Sequence, residues 1–442
     1  MAFSGLDIYK LLPKTNCKEC GFPTCLAFAM QLAKKSVNVE KCPYVSQQAK
    51  DTLVAASQPP IKLVSLCAGD AKFDVGNETV MFRHEEKFRN PAGLGFIIED
   101  SLSDAEITAK IGKINLLNFE RVGQKIAVNL IAVKQAKDPA RFVQAVKLIA
   151  AKTQLAVALM SNDSQALREA LALLKDRKPL IYGANTGNFA EMGKLAKEFN
   201  VVLAVIAKDL EEASGLTQEL AKLGVSDLII NTGAKSMPDK IWDLTQCRRL
   251  ALKKSFRSLG YPTLAVVEKD DPYEEALEAA SYILKYASIV LIKGIEIWQV
   301  LPLLTLRQNI YTDPQKPLQI EPKAYAIGAV GKNSPVLVTT NFSLTYYTVA
   351  GEVEASKVPA YIVSVDTEGM SVLTAWAAEK FTPEKISETL NKLGVESLVA
   401  EKKLILPGYV AVMSGDLEEQ SGWKVAVGPK EAAGLPSFLK NL

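Results

Sequence analysis

Four cysteines in the first fifty residues have the spacing of a metal-binding segment. They form Cys17-x-x-Cys20-x-x-x-x-Cys25, and Cys42 follows after sixteen intervening residues. Two thiolates three residues apart can bind one metal centre from a single turn, and Gly21 allows the backbone to turn tightly there. Four thiolates without a histidine favour a [4Fe–4S] cluster, and a proline after the last cysteine is typical of ferredoxin-like sites.

Zinc is the alternative metal for this segment, because four cysteines also make a closed tetrahedral zinc site. Zinc sites usually contain two separated Cys-x-x-Cys pairs, whereas only Cys17 and Cys20 have that form here. The spacing and the soft ligands therefore favour the cluster. Metal analysis of anaerobically purified protein distinguishes the two, since zinc without iron or sulfide would exclude the cluster.

The composition indicates a globular protein with two to four domains. The chain has 442 residues, of which 48% are hydrophobic and 23% are charged. Its net charge of +3 is too small for a nucleic-acid-binding surface, so we expect no nucleic-acid partner. We find no run of eighteen apolar residues and no signal-peptide pattern, and we therefore expect a cytoplasmic protein without membrane association.

The remaining cysteines and the histidine count narrow the chemistry. Cys67 and Cys247 stand alone, so we expect buried small side chains rather than a disulfide framework. The single histidine, His84, lies in a charged stretch and is expected to be solvated. A relay that needs several imidazoles is therefore excluded.

Two proline-bearing linkers divide the chain into three predicted domains: residues 1–57, 58–320 and 321–442. The first linker is predicted at residues 55–60, where Pro-Pro cannot continue a helix, and the second at residues 318–323. The first domain is too short for a large core, so the metal must supply much of its folding energy.

The middle domain alternates short apolar runs with amphipathic stretches of ten to twenty residues. The predicted strands are residues 95–98, 126–130, 155–159, 180–182, 201–206, 227–230, 263–267 and 288–292. Strands that are buried on both faces are typical of a closed (β/α)8 TIM-type barrel. An open doubly wound sheet is the alternative, and the lack of a Gly-rich phosphate fingerprint disfavours it. Runs at 61–66 and 79–82 predict a preceding hairpin.

Three carboxylates end predicted barrel strands: Glu99, Asp100 and Glu268. Barrel enzymes place catalytic groups at such positions. No substrate follows from these residues, and we assign no catalytic residue in this chain.

The last domain is predicted to be a Rossmann-like α/β domain. Its predicted strands are residues 335–340, 360–365, 403–406 and 424–427, and its predicted helices are 371–380 and 383–393. Thr382 is the expected cap of the second helix, and Gly394 is its expected C′ residue. Polar and glycine-rich segments follow the strands, where open parallel sheets bind ligands. A large flat cofactor is therefore expected over these loops.

The sequence CKECGFPTCLAFA at residues 17–29, with Cys42-Pro43 behind it, resembles the iron–sulfur segment of corrinoid/iron–sulfur protein large (gamma) subunits. These proteins belong to the acetyl-CoA (Wood–Ljungdahl) pathway. The eight-unit barrel and a last domain with DTEGMSVLTAW at residues 366–376 resemble the same family. The resemblance covers essentially the whole chain.

The resemblance implies a methyl carrier that pairs with a small (beta) subunit and holds a corrinoid between that partner and its own C-terminal domain. Co(I) takes a methyl group from methyltetrahydrofolate with the help of a separate methyltransferase. It delivers the methyl group to the nickel site of carbon monoxide dehydrogenase/acetyl-CoA synthase, and the [4Fe–4S] cluster returns Co(II) to Co(I). The chain lacks the Asp-x-His-x-x-Gly motif of many B12 proteins, so its last domain supplies no imidazole ligand to cobalt.

The predicted cluster ligands are Cys17, Cys20, Cys25 and Cys42. The predicted corrinoid-binding residues are Thr340, Tyr346, Met370, Ser371, Val372, Leu373, Thr374 and Gly434. Residues 370–374 open a predicted helix whose N–H groups and hydroxyls can bond amide side chains or the nucleotide tail. Thr374 is the candidate for the position below the cobalt, and Gly434 for a close backbone approach. In the alternative interpretation Ser371 caps a helix and Thr340 fills a turn.

Two other functions remain open. One is a pterin-dependent methyltransferase whose barrel binds the folate and whose cluster is ancillary. It predicts tight methyltetrahydrofolate binding by this chain alone. The other is an electron-transfer module with an unrelated ligand, which predicts a cluster spectrum and no cobalt.

Overall fold

The structure is a computed structural model that describes residues 5–33, 36–47, 49–50, 53, 59–67, 72–233 and 236–442. The chain forms two compact units, Met1–Asn118 with Ala127–Tyr311 and Phe119–Ile126 with Thr312–Leu442. Residues 55–58 of the first predicted linker lie outside the described residues, and the three domain boundaries stay a prediction. Across the described ranges, we find no helix that is long and apolar enough to span a bilayer.

The cysteine segment folds around two short helices, α1 (Gly5–Leu11) and α2 (Cys25–Ala33), which pack against each other. Helix α2 begins at Cys25, as predicted, because Thr24 Oγ1 accepts a hydrogen bond from Ala27 N–H at 3.0 Å. The helices and the segment after them bury a small core: Ile8, Leu12, Cys25, Phe28, Ala29, Val39, Cys42, Val45, Ala49 and Leu53. So few apolar side chains agree with a segment that depends on a metal for its stability.

The predicted hairpin is half right. Its first strand is β1 (Val64–Leu66), but the antiparallel partner is β2 (Phe73–Val75) and not residues 79–82. Val80 O instead accepts hydrogen bonds from the guanidinium of Arg248, which also pairs with Glu78 at 2.9 Å. A buried ion pair therefore holds the apolar run that was interpreted as a strand.

Eight parallel strands form the sheet of the larger unit: β3 (Gly93–Glu99), β6 (Leu130–Lys134), β7 (Ala156–Met160), β8 (Leu180–Ala184), β9 (Val202–Ile206), β10 (Leu228–Asn231), β11 (Leu264–Val266) and β12 (Ile289–Ile292). Their order is β10-β9-β8-β7-β6-β3-β12-β11. A bridge between Ile230 and Thr263 joins the two end strands, and Ile230 N–H donates to Pro262 O at 2.9 Å. The sheet is thus a nearly closed barrel, which confirms that prediction.

Helices follow the barrel strands: α3 (Asp104–Asn115), α4 (Pro139–Lys152), α5 (Ser164–Leu173), α6 (Phe189–Phe199), α7 (Leu210–Lys222), α8 (Met237–Lys254), α9 (Pro272–Leu284) and α10 (Ile297–Tyr311). Most begin after an Asp or Ser whose side chain accepts a hydrogen bond from the first turn. These caps fix where each strand–helix loop ends.

The second barrel strand was predicted too early, at residues 126–130. A separate hairpin of β4 (Asn118–Arg121) and β5 (Gln124–Ala127) takes the start of that run, and the barrel strand β6 begins at Leu130. Val122 and Gly123 form the two-residue turn with φ of 56° and 67°. Residues 126–133 are almost continuously apolar, so the pattern alone gives no boundary inside them.

The smaller unit contains a five-stranded sheet. Its strands are β13 (Ala324–Ile327), β14 (Val336–Thr340), β15 (Ala360–Val365), β16 (Lys403–Leu406) and β17 (Lys424–Val427). Their order is β13-β15-β14-β16-β17, and only β13 is antiparallel to its neighbour. The four parallel strands lie where they were predicted. The edge strand β13 was missed, because it is short and only partly buried.

Five helices cover this sheet: α11 (Ser343–Ser356), α12 (Val372–Ala377), α13 (Pro383–Lys392), α14 (Ser414–Ser421) and α15 (Leu435–Lys440). Alternate strand residues belong to two different apolar cores, one with α13 and α14 and the other with α11 and α15. Thr382 caps α13 by accepting from Lys385 N–H, and Gly394 has φ of 61°, as predicted.

Candidate functional site

The first three cysteines lie on a tight irregular loop. Asn16, Lys18 and Gly21 have φ of 51°, 68° and 84°, and Gly21 N–H donates to Lys18 O at 2.9 Å. No atom lies within 4 Å of a Cβ built on Gly21, so its backbone conformation, and not crowding, requires glycine. The predicted tight turn after Cys20 is therefore present.

Asn16 and Cys25 form two reciprocal hydrogen bonds. Cys25 N–H donates to Asn16 Oδ1 at 2.8 Å, and Asn16 N–H donates to Cys25 Sγ at 3.4 Å. N–H···S hydrogen bonds to ligand sulfurs are among the features that set the potential of an iron–sulfur cluster. The loop thus already directs a donor at one of the predicted ligands.

The four cysteines differ in their exposure. Cys25 and Cys42 are only 6% and 3% exposed and belong to the core of α1 and α2, and Cys20 packs against that core. Cys17 is half-buried, and all four thiols are free. Where the structure describes the chain, no three His, Cys, Asp or Glu side chains are grouped to hold a single metal ion. The donor set, four soft thiols of which three share one small core, fits a [4Fe–4S] cluster.

Tyr44 connects the two arms of the cysteine segment, which are the loop of residues 17–25 and the returning stretch that contains Cys42. Its hydroxyl donates to Glu19 Oε1 at 2.8 Å, and the two residues are twenty-five positions apart. This hydrogen bond and the negative charge of Glu19 raise the pKa of Tyr44, with smaller contributions from Cys17 and Cys42. The phenol is therefore a stable hydrogen-bond donor at neutral pH.

The other cysteines are buried and the histidine is exposed, as predicted. Cys67 and Cys247 are buried, and burial raises the pKa of the Cys247 thiol to about 12. The Cys247 thiol donates to Leu259 O at 3.3 Å. His84 is exposed and stacks on Phe82.

The carboxylates at the barrel strand ends are engaged in structural contacts. Lys134 Nζ lies 2.6 Å from Glu268 and 3.5 Å from Glu99. Asp100 Oδ1 accepts from the backbone N–H groups of Ala136 and Lys137 at 2.8 and 3.0 Å. These contacts account for Glu99, Glu268 and Oδ1 of Asp100 without a substrate, whereas the buried Oδ2 of Asp100 has no hydrogen-bond partner among the described residues.

A cavity of about 320 Å³ opens at the carboxyl ends of β14, β16 and β17. Helix α11 and the start of α15 form its sides, and the segment 371–373 borders it. Its lining is mostly apolar: Leu337, Val338, Leu344, Val349, Val372, Leu373, Ile405, Leu406, Pro407, Pro429 and Leu435. The cavity lies where ligands of open parallel sheets bind.

The structure brings three of the eight nominated residues to the cavity wall: Ser371, Val372 and Leu373. Thr374 is their neighbour, and its hydroxyl lies 3.0 Å from that of Ser371. Ser371 precedes α12 but makes no capping hydrogen bond with its side chain, so the alternative role as a simple cap is not what the geometry shows.

The other nominated residues lie behind the wall. Tyr346 packs in the core, where its ring centroid is 4.6 Å from that of Tyr325, and burial raises its pKa to about 12. Thr340 is fully buried, and Met370 packs against the opposite core. Tyr346 and Met370 thus make packing contacts, whereas the buried Thr340 hydroxyl has no hydrogen-bond partner among the described residues.

Gly434 occupies a position where a side chain does not fit. A Cβ built on it would lie 2.8 Å from Cβ of Pro429, which lines the cavity. Real Cβ atoms do not approach so closely, so any larger residue must displace the Gly428–Pro429 segment. The close approach that was predicted at Gly434 is thus made to Pro429 of the same chain.

Asn341 was not among the nominated residues, although the sequence places it in a polar segment directly after a predicted strand. It is 1% exposed, and its Oδ1 accepts from Thr367 N–H, Thr367 Oγ1 and Gly369 N–H. This one oxygen organises the turn that leads into residues 370–374. An Asn directly after a strand, followed by another strand that ends in Asp-Thr-Glu-Gly, was the available signal.

Thr339 was also missed. It lines the cavity, is 1% exposed, and its hydroxyl has no hydrogen-bond partner among the described residues. A buried hydroxyl without a partner is costly, and a polar ligand atom in the cavity is one way to satisfy it. Leu344, Leu373 and Tyr409 line the same cavity and remain exposed, so its rim is apolar.

Two family models match this chain. Residues 63–439 match the family described as "CO dehydrogenase/acetyl-CoA synthase delta subunit", and residues 12–44 match the family described as "Putative Fe-S cluster". The chain is 48% identical over 441 residues to the corrinoid/iron–sulfur protein large subunit of Moorella thermoacetica, covering 100% of this chain and 99% of that protein.

An archaeal relative and a solved structure are more distant. The acetyl-CoA decarbonylase/synthase complex subunit gamma of Methanothermobacter thermautotrophicus is 36% identical, covering 100% of this chain and 99% of that protein. Dihydropteroate synthase from Thermus thermophilus is 12% identical with a TM-score of 0.38, covering 50% of this chain and 95% of that chain. So weak a structural likeness carries no argument about this chain.

Proposed function

Because the chain belongs to the family of the CO dehydrogenase/acetyl-CoA synthase delta subunit and of corrinoid/iron–sulfur protein large subunits, we propose that it is a methyl carrier. One observation carries the proposal. A four-thiol segment and an apolar cavity at the strand ends of a histidine-free unit occur in the same chain. These two features suit an electron-donating cluster and a weakly ligated cobalt macrocycle.

The N-terminal segment is the proposed cluster site, with Cys17, Cys20, Cys25 and Cys42 as ligands. When bound, a [4Fe–4S] cluster supplies single electrons at low potential that return Co(II) to Co(I). The chain's own part is to hold the Cys25 and Cys42 thiols apart from water and to direct Asn16 N–H at Cys25 Sγ. The buried positions of Cys25 and Cys42 support this assignment.

The C-terminal unit is the proposed corrinoid site. When bound, a corrinoid supplies a cobalt centre that accepts a methyl group from methyltetrahydrofolate and passes it to acetyl-CoA synthase. This unit has no histidine, since His84 is the only one in the chain, so it offers cobalt no imidazole. A weakly ligated cobalt is easier to reduce, which suits the task.

The size of the cavity limits what enters it. About 320 Å³ is at the small end for a ligand pocket and is smaller than a corrin ring with its side chains. We infer that a substituent of the corrinoid, such as its nucleotide tail, enters beside Thr339. The flat ring then lies over the apolar rim of Leu344, Leu373 and Tyr409.

The partners follow from the same proposal. The exposed rim leaves one side of a ring uncovered, and the small (beta) subunit is the proposed cover. A separate methyltetrahydrofolate methyltransferase and carbon monoxide dehydrogenase/acetyl-CoA synthase are the proposed donor and acceptor enzymes. The nominated residues Thr340, Tyr346, Met370 and Gly434 are then assigned to the support of the site.

Metal analysis combined with methyl transfer tests the function. The full chain is purified anaerobically with its partner, and cobalt, iron and sulfide are quantified before methyltetrahydrofolate is added with and without the transferase. The proposal predicts one cobalt, four iron atoms and transfer only with the transferase. Iron without cobalt would leave an electron-transfer module, and transfer without the transferase would indicate a pterin-dependent methyltransferase.

A further inference from the structure

The hydroxyl of Tyr44 and the carboxylate of Glu19 form a bridge between the two arms of the cysteine segment. We propose that this bridge positions Cys17 and Cys20 relative to Cys42 and holds the negative charge of Glu19 beside the cluster. The inference rests on the proposed cluster site and adds two residues that are not ligands themselves.

The bridge lies where the segment is least anchored. Cys25 and Cys42 are fixed by the apolar core, whereas Cys17 is half-buried on the irregular loop. Glu19 lies between Cys17 and Cys20 in the chain, and Tyr44 follows Cys42 by two residues. A 2.8 Å hydrogen bond between them therefore fixes the distance between the first ligand pair and the last ligand.

The bridge also determines where a charge is placed. An exposed glutamate normally samples many rotamers, but the Tyr44 hydroxyl keeps the Glu19 carboxylate next to the two arms. A negative charge near a cluster disfavours the uptake of a further electron, because the added charge is repelled. The reduced cluster is thereby a stronger one-electron donor, as the return of Co(II) to Co(I) demands.

Two substitutions separate these effects. Glu19→Gln removes the charge but keeps an oxygen that accepts from the Tyr44 hydroxyl. Tyr44→Phe removes the bridge but keeps the charge and the ring. Tyr9→Phe is the matched control, because Tyr9 packs against the same small core and its hydroxyl takes no part in the bridge.

The test uses the full chain purified anaerobically with its partner, and each variant is measured in two ways. EPR-monitored potentiometric titration gives the midpoint potential of the cluster, and iron release to a chelator gives the rate of cluster loss. We expect Glu19→Gln to raise the potential at an unchanged rate of loss. We expect Tyr44→Phe to accelerate loss roughly threefold to tenfold, as the loss of one hydrogen bond predicts.

The outcomes distinguish this inference from the proposed function. If the wild-type chain holds no iron and sulfide, the cluster itself is refuted. If the cluster is present but Glu19→Gln leaves the potential unchanged, or Tyr44→Phe loses iron no faster than Tyr9→Phe, the bridge has no such role.

Discussion

The side-chain oxygen of Asn341 lies 2.9 Å from the backbone nitrogen of Gly369. Asn341 follows strand β14 and Gly369 follows β15, so this bond joins the carboxyl ends of two neighbouring parallel strands. Gly369 has φ of 77°, which lets the chain turn back toward the cavity wall. The position of residues 371–374 therefore depends on a side chain that does not itself line the cavity.

We predict that Asn341→Ala weakens both the unit and its ligand site. The substitution leaves Thr367 and Gly369 without their acceptor in a buried environment, which costs about 2–4 kcal/mol in the free energy of unfolding. The ratio of cobalt to protein after purification is expected to fall as well. Asn441→Ala, at an exposed asparagine of the same unit, is the control for both measurements. Normal stability and cobalt content in Asn341→Ala would contradict this role.

Gly434→Ala is expected to reduce corrinoid retention without unfolding the chain. Its new methyl group would meet Pro429 at 2.8 Å and displace the wall of the cavity. Gly415→Ala is a matched control, since a Cβ there meets nothing within 4 Å. Equilibrium dialysis with a cobamide measures the difference. Equal affinities of the two variants would show that the close approach at Gly434 is unimportant for binding.

Cys42→Ala and Cys247→Ala form a second matched pair, because both thiols are buried to a similar degree. The first removes a predicted cluster ligand and is expected to lower the iron and sulfide content and to destabilise the N-terminal segment. The second is expected to keep the full content, because it removes only a packed thiol. Iron analysis and the visible absorption spectrum report the result, and an unchanged spectrum for Cys42→Ala would remove it from the ligand set.

Thr374→Ala tests the position assigned below the cobalt. If the Thr374 hydroxyl lies beneath the ring, its loss removes an oxygen that favours Co(II) over four-coordinate Co(I). The Co(II)/Co(I) potential is then expected to rise. Thr389→Ala is the control, because the Thr389 hydroxyl donates to Lys385 O within its own helix and does not line the cavity. If spectroelectrochemistry shows the same potential and cobalt content in Thr374→Ala as in the wild type, the assignment is withdrawn.

The barrel has a pH-dependent contact at Asp227. Burial opposes the charged form of Asp227, but the hydrogen bond and charge of Lys178, and then of Lys62, outweigh it and lower its pKa. A lowered carboxyl pKa stabilises the fold above the unfolded-state value near 4, and this contribution is lost as the pH falls through the folded value.

Asp227→Asn is therefore expected to reduce the free energy of unfolding by roughly 1–2 kcal/mol at pH 7. The gap to the wild type is expected to narrow below about pH 4. Denaturant unfolding at pH 7 and at about pH 2 measures both values, with the exposed Asp176→Asn as the control. A gap that widens toward acid pH would reverse the assigned sign.

Much of the fold could be predicted because its strands are short, apolar and separated by capped helices. Asp163 and Asp209 show the reason, since each follows a strand and accepts from the first turn of the next helix. The start of β6 could not be predicted, because residues 126–133 are almost uniformly apolar and only the turn at Val122–Gly123 ends the preceding hairpin. Strand β2 was missed because residues 79–82 were expected to pair with β1. Val80 O instead accepts a hydrogen bond from Arg248, which is distant in the sequence.

The candidate sites were predictable to different degrees. The cysteine spacing is local, so the turn at Gly21 could be inferred from sequence. The cavity is formed by three strand ends and two helices, and the contributions of Thr339 and Tyr409 depend on how these elements pack. The same limit explains why Tyr346 was nominated for a ligand although its ring lies in the core.

The central claim is that the cysteine segment supplies electrons to a corrinoid held by the same chain. The most direct test is the rate at which Co(II) returns to Co(I) when a low-potential electron donor is added to the wild type and to Cys42→Ala, followed by stopped-flow absorbance. We predict that Cys42→Ala keeps its cobalt and accepts a methyl group once its cobalt is reduced chemically. The low-potential electron donor is not expected to return its Co(II) to Co(I). Reactivation of Cys42→Ala at the wild-type rate would contradict the account.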